Sequence, residues 1–142
     1  MEELQEKSLR PETAKLEISA KPTPFTDLDP DLQLAIKCIG EKKGENIIGL
    51  DLREIASFTE FFIIASGTNQ RQVQAIADEI SEQLKKQLGA RPVRIEGYNS
   101  AEWVLLDYGD FVIHIFNGEA REFYDLARLW RDARKVELPS DL

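Results

Sequence analysis

Three residues, Tyr108-Gly109-Asp110, separate two strand-forming runs, Trp103–Asp107 and Phe111–Phe116. A connection that short joins antiparallel neighbours, because a parallel return needs a long crossover. Upstream, Phe61-Phe62-Ile63-Ile64-Ala65 is apolar at every position, as in a strand covered on both faces. A chain with both features builds a mixed sheet with helices packed on it, not a purely parallel one. With 142 residues it forms a single domain with room for a core.

The remaining elements follow from periodicity. Asp29 can cap a helix whose first position is Pro30, and Leu32, Ala35, Ile36 and Ile39 recur at helical spacing. Ile47 to Asp51 reads as a strand, and Leu52 to Phe58 as a connector. Ser66-Gly67-Thr68-Asn69 marks a turn and a helix start. Val73, Ile76, Ala77, Ile80, Leu84 and Leu88 then form the inner stripe of a long helix that Gly89 ends. Pro92 to Ile95 is a short strand. Arg121 to Arg134 is the last helix, with Asn117 able to cap it and Phe123, Leu126, Ala127 and Trp130 facing inward. The expected architecture is α/β, a mixed five-stranded sheet with packed helices.

The organisation along the chain is a flexible acidic extension over residues 1–28, a folded domain over 29–136 and a flexible end over 137–142. Pro11, Pro22 and Pro24 fall in the extension, and residues 1–30 hold seven acidic and four basic side chains. The whole chain has a net charge of -8 and a pI near 4.8, which disfavours broad non-specific binding to nucleic acid. Cys38 is the only cysteine, so no intrachain disulfide forms, and its apolar neighbours suggest a buried thiol. No apolar run reaches the length of a membrane span. The amino-terminal residues lack the basic head and apolar stretch of a secretory leader and are too acidic for an organelle-targeting helix, so a cytoplasmic location is expected.

Catalytic spacing is absent. His114 has no second histidine or cysteine nearby in sequence with which to hold a transition metal; it reads as a half-buried structural residue or as a partner-facing one with some pH sensitivity near neutrality. Asp107 and Asp110 bracket a turn whose amides they can accept from, and a metal site would need them to converge with a third acid such as Asp51. Ser66-Gly67-Thr68 precedes a helix start that could hold an anion, but neither GxGxxG nor GxxxxGK[ST] is present. On the first hairpin strand Trp103, Leu105 and Asp107 share one face, while Val104 and Leu106 share the other. A face that pairs a tryptophan with a carboxylate reaches the surface or closes over a core. On the first reading Tyr98, Trp103 and Tyr108 are partner anchors. Arg121 opposes the dipole of the helix it opens, which calls for an acidic partner or a bound group.

Several blocks in order resemble the ribosomal silencing factor family, also called Iojap-like proteins. They are Phe61-Phe62-Ile63-Ile64-Ala65-Ser66-Gly67-Thr68, Glu96-Gly97, Trp103-Val104-Leu105-Leu106-Asp107-Tyr108-Gly109-Asp110, His114-Ile115-Phe116 and Arg121-Glu122-Phe123-Tyr124-Asp125-Leu126. The resemblance spans about residues 31–135. It implies a nucleotidyltransferase-like fold without the transferase active site. It also implies binding to ribosomal protein uL14 on the large subunit, which obstructs joining of the small subunit and lowers translation when nutrients are scarce. Three positions depart from the family pattern: Glu60 stands where an aspartate is usual, Phe61 where a tyrosine is usual, and Ala127 where a glutamate is usual.

From these readings the expected contact or contact-shaping residues are Trp103, Leu105, Asp107, Tyr108, His114 and Tyr124. The expected partner is uL14, with minor contacts to ribosomal RNA. A homodimer of the free chain is compatible with the same surface. No catalytic residue, cofactor, metal or membrane is expected. The competing expectation is a magnesium- and nucleotide-dependent nucleotidyltransferase-like enzyme using Ser66 to Asn69 with Asp51, Asp107 and Asp110.

Overall fold

A computed structural model of the chain describes residues 21–142. Helix α1 (Pro30–Glu41) leads into strand β1 (Glu45–Asp51), β2 (Phe61–Gly67) and helix α2 (Gln70–Leu88). Then come β3 (Arg94–Glu96), β4 (Trp103–Asp107), β5 (Phe111–Asn117), the short helices α3 (Gly118–Tyr124) and α4 (Leu126–Leu129), and β6 (Arg134–Lys135). The sheet order is β3-β4-β5-β2-β1-β6. Among the strand pairs of the described residues only the central β2–β5 pair is parallel and the others are antiparallel, so the sheet is mixed, as the short hairpin connection requires.

The sheet has six strands rather than the expected five. The extra strand comes from the end of the segment read as one helix, Arg121 to Arg134. That helix breaks at Asp125, which takes a left-handed φ of 45° and whose carboxylate accepts the Arg128 amide at 3.3 Å. The chain then turns, and Arg134 and Lys135 pair with Asp51 and Leu50 on the outer side of β1. Short helices are marginal on their own, so the free edge of β1 competes successfully for the end of this segment.

The two faces of the sheet are covered differently. On the first, α1 and α2 lay Leu32, Ile36, Ile39, Val73, Ile76, Ile80 and Leu84 over Ile63, Val104, Leu106, Ile113 and Ile115. Full burial of each large side chain contributes about 1.5–3 kcal/mol, so this layer is the main source of stability. Helix α2 is bounded as its sequence predicts. Asn69 caps it by accepting the Gln72 amide at 2.9 Å, and Gly89 ends it with φ 67°. On the second face Leu50, Phe62, Ile64, Val112 and Phe116 meet the smaller cover of α3, α4 and the turn that follows, through Ala120, Leu126, Ala127 and Trp130, together with Leu52 and Ala56 of the connector after β1.

The packed structure begins before Asp29. Residues 1–20 of the expected extension lie outside the described residues, but Thr23 and Leu28 are buried. Thr23 bridges to Val136, exchanges backbone bonds with Lys135 and Glu137, and donates its hydroxyl to Asp51 at 2.6 Å. At the other end Leu138 packs partly on the first core. The boundaries drawn at 28 and 136 therefore fall inside packed structure, where the chain at Thr23 runs alongside and parallel to the chain at Val136.

Candidate functional site

The site begins with the alternation in β4. Val104 and Leu106 are fully buried on the helix-covered face, and Trp103, Leu105 and Asp107 are half-buried on the other. Gly97 lets this strand close in. It holds φ 79°, and a Cβ there would collide with the carbonyl oxygen of Trp103. Only a residue without a side chain accepts both conditions. The Glu96-Gly97 block thus supports the position of Trp103 from the end of the neighbouring strand β3.

Behind Trp103 stands His114. Leu105 and His114 are register partners, and His114 is 4% exposed. The indole Nε1 of Trp103 donates to His114 Nδ1 at 3.0 Å. Nδ1 must then carry the lone pair and Nε2 the proton, which is the neutral form of the ring. Burial pushes the His114 pKa down to about 4. The folded chain therefore keeps this ring neutral near pH 7, and the ring is not surface-facing. Nε2 has no hydrogen-bond partner among the described residues, at a cost of about 1–3 kcal/mol.

The rings continue on both sides. Trp103 lies 4.6 Å from Tyr124 and 5.1 Å from Phe116, centroid to centroid. His114 meets Phe62 edge-on at 4.4 Å, and Phe62 meets Trp130 at 5.8 Å. Phe58 closes the row, 5.9 Å from Phe62 and 6.0 Å from Trp130. One aromatic row thus crosses the second face of the sheet. It surfaces at one end through Tyr124, 43% exposed, and at the other through Phe58, 61% exposed, beside Leu129 at 71%. Sequence reasoning missed Phe58, which lies in an aperiodic connector. Its only signal there was an aromatic residue in a polar stretch.

Of the expected contact residues, Trp103, Leu105, Asp107, His114 and Tyr124 gather on this face. Tyr108 does not. It packs against the first core, stacked on Phe111 at 5.0 Å, with its hydroxyl enclosed near Ser81 but outside hydrogen-bond geometry. Tyr98 is also tied to that side, donating to Asp78 at 2.9 Å. Asp107 accepts the Gly109 amide at 2.8 Å and lies 3.3 Å from Arg94. It is both the turn residue its sequence suggests and a half-exposed acid beside Leu105.

The residues of the enzymatic expectation do not converge. Asp51 is buried between Thr23 and Arg53, whose guanidinium reaches it at 2.7 and 2.9 Å. Burial opposes its charge, yet the bonds from Arg53 and Thr23 outweigh that and leave its pKa below the usual carboxylate value. By register Asp51 aligns with Phe61 and Phe111, and Asp107 with Val112, so β2 and β5 stand between the two acids. No group of three or more potential metal ligands occurs among the described residues. At the start of α2 the chain's own side chains take up two of the amides: Gln72 accepts from Thr68 and Asn69 accepts from Gln72. The group that explains Arg121 is Ser66, whose hydroxyl accepts from it at 2.8 Å. Burial lowers the Arg121 pKa, and the charge of Asp125 partly offsets this.

Residues 26–142 match the family described as "Ribosomal silencing factor during starvation". The chain is similar to a ribosomal silencing factor of Halalkalibacterium halodurans, with 43% identity over 107 residues covering 75% of this chain and 91% of that one. It is also similar to the chloroplastic protein Iojap of Zea mays, 34% identical over 126 residues covering 84% of this chain and 54% of the maize protein. Among solved structures, a Chromobacterium violaceum protein superposes with a TM-score of 0.68 at 37% identity, covering 78% of this chain and 88% of that one.

Proposed function

The chain belongs to the ribosomal silencing factor family, and from that premise we propose that its aromatic sheet face docks on ribosomal protein uL14 of the large subunit. Docking there obstructs the small subunit and lowers translation when nutrients are limiting. The action is steric. Occupancy of the joining face excludes the joined state, so inhibition follows from affinity and concentration, without covalent chemistry or a cofactor. The setting is the cytoplasm.

The observation that carries this reading is the half-buried Trp103 held from behind by His114 and flanked by Leu105, Asp107 and Tyr124. An aromatic anchor of this kind supplies large contact area, and holding it in place before binding removes part of the ordering cost. Asp107 and the net acidity of the chain favour encounter with a basic partner. Tyr108 stiffens the hairpin from the other side of the sheet instead of touching the partner. The nucleotidyltransferase-like alternative finds no support in the separated positions of Asp51 and Asp107.

Co-sedimentation with isolated large subunits tests the proposal. The native chain should pellet with them and reduce subunit joining. Trp103→Ala, still folded by circular dichroism, should do neither. A folded native chain that fails to bind would reject the proposal.

A further inference from the structure

Thr23 runs parallel to Val136, so the chain before it heads back past Arg134, toward the end of the sheet where β1 finishes and β6 starts. Lys21 is the first described residue on that course. Its carbonyl accepts from Arg134 at 3.1 Å, and the same guanidinium reaches Glu54 at 3.1 Å. The strap is thus pinned beside the connector between β1 and β2. That connector carries Ile55 and Phe58, both exposed, and the Phe58 ring lies 6.0 Å from Trp130, which is next in sequence to exposed Leu129. Single exposed apolar residues are ordinary, but three large ones at one end of the sheet, on the side with the smaller cover, mark a surface that something covers.

Twenty residues precede Lys21. The last of them, Ala14-Lys15-Leu16-Glu17-Ile18-Ser19-Ala20, alternate apolar and polar side chains, the pattern of an extended segment with one buried face. Pro22 favours an extended Lys21, which carries the direction of the strap onward. An extended chain spans at most about 3.6 Å per residue, so Ile18 reaches about 11 Å from Lys21 and Leu16 about 18 Å. Phe58 is four residues from Glu54, at most about 14 Å away.

We propose that residues 14–20 lie across this corner of their own domain, with Leu16 and Ile18 on Phe58, Ile55 and Leu129. A segment tethered this closely has an effective concentration at the corner on the order of millimolar, so a second copy or a ribosomal protein would have to displace it. The surface left for a partner then ends with Trp103, Leu105, Asp107 and Tyr124, and the Phe58 end of the aromatic row serves the fold. The contact forms in the free chain, so it stands or falls independently of the docking reading.

The test uses the full chain in NMR spectra, against a variant carrying Leu16→Ser and Ile18→Ser. Methyl groups of Leu16 and Ile18 should show cross-relaxation to the Phe58 ring protons. Amides of residues 14–20 should exchange at least about tenfold more slowly in the native chain than in the variant. A control carrying Leu4→Ser and Leu9→Ser should behave as the native chain does. Cross-peaks absent and exchange equal in native chain and variant overturn the inference. Cross-peaks that appear only between labelled and unlabelled chains also overturn it, by assigning the corner to a second copy. Phe58→Ser supplies the last arm: if it weakens binding to large subunits while residues 14–20 exchange as in the variant, the corner belongs to the ribosomal partner and the inference fails.

Discussion

The indole nitrogen of Trp103 donates to Nδ1 of His114 across 3.0 Å, so a half-exposed aromatic is fixed by a buried, neutral imidazole on the adjacent strand. Replacing His114 with Phe keeps the ring and the packing against Phe62 but removes the acceptor. The Trp103 indole proton should then exchange faster in NMR spectra, and affinity for large subunits should fall about tenfold as one directional hydrogen bond is lost. Unchanged exchange and unchanged affinity would show that the bond does not orient the indole.

The same buried ring makes stability depend on pH. His114 titrates near 4 in the folded chain against 6.5 for the free side chain. The unfolded chain therefore binds the proton more readily, and stability falls as pH drops from above 6.5 toward 4. A shift of this size corresponds to about 3 kcal/mol. Asp51, whose pKa is depressed from 3.8, adds a further loss only at pH below that value. Urea unfolding at pH 7, 5 and 4 should show the first loss in the native chain, and His114→Phe should flatten it. A native chain equally stable at pH 7 and pH 4 would contradict the buried-histidine assignment.

Gly97 is predicted to tolerate no side chain. Gly97→Ala adds a Cβ where the Trp103 carbonyl lies and forces φ 79° on a residue that disfavours it. Stability should fall by more than about 1 kcal/mol in thermal or urea unfolding. Gly89 gives the contrast: its φ is also positive, at 67°, but a Cβ there meets nothing within 4 Å, so Gly89→Ala should cost less.

The strap at Thr23 should be measurable in the same way. Thr23→Val keeps the shape and removes the 2.6 Å bond to Asp51, a charge-assisted bond whose loss costs about 1.5–3 kcal/mol. A neutral substitution would mean that the residues before Asp29 add little to the fold.

Tyr108 and Trp103 should separate cleanly in binding. Trp103→Ala is expected to weaken docking by at least about 2 kcal/mol, or about thirtyfold. Tyr108→Phe, on the other face of the sheet, should leave affinity for large subunits unchanged. Comparable losses for both would place the contact at the hairpin tip instead of on the aromatic face.

Much of the fold was legible because its signals are local. The apolar run Phe61–Ala65, the stripe from Val73 to Leu84 and the short turn at Gly109 name their own elements, and Asn69 and Gly89 mark the ends of a helix through chemistry within one turn. The last segment was legible only in part. Leu126, Ala127 and Trp130 do face inward, as helical spacing requires, but whether the chain continues as helix or joins a strand depends on the edge of β1, far away in sequence. The candidate site divides in the same way. Alternation along β4 grouped Trp103 with Leu105 and Asp107 correctly. It was silent on Tyr108 just beyond the strand, and on Phe58, which reaches the site through Trp130 and Phe62.

The amino-acid sequence by itself determined the mixed sheet, the long second helix, the hairpin and membership of the family, because periodicity, turn chemistry and ordered motif blocks are properties of neighbouring residues. Only the tertiary structure decided that His114 is a buried acceptor, that Arg121 is held by Ser66, that Thr23 belongs to the domain and that Trp103 and Tyr108 lie on opposite sides of the sheet. Those outcomes depend on which distant segments cover each face, and the burial and hydrogen bonds of a side chain exist only once that cover is in place.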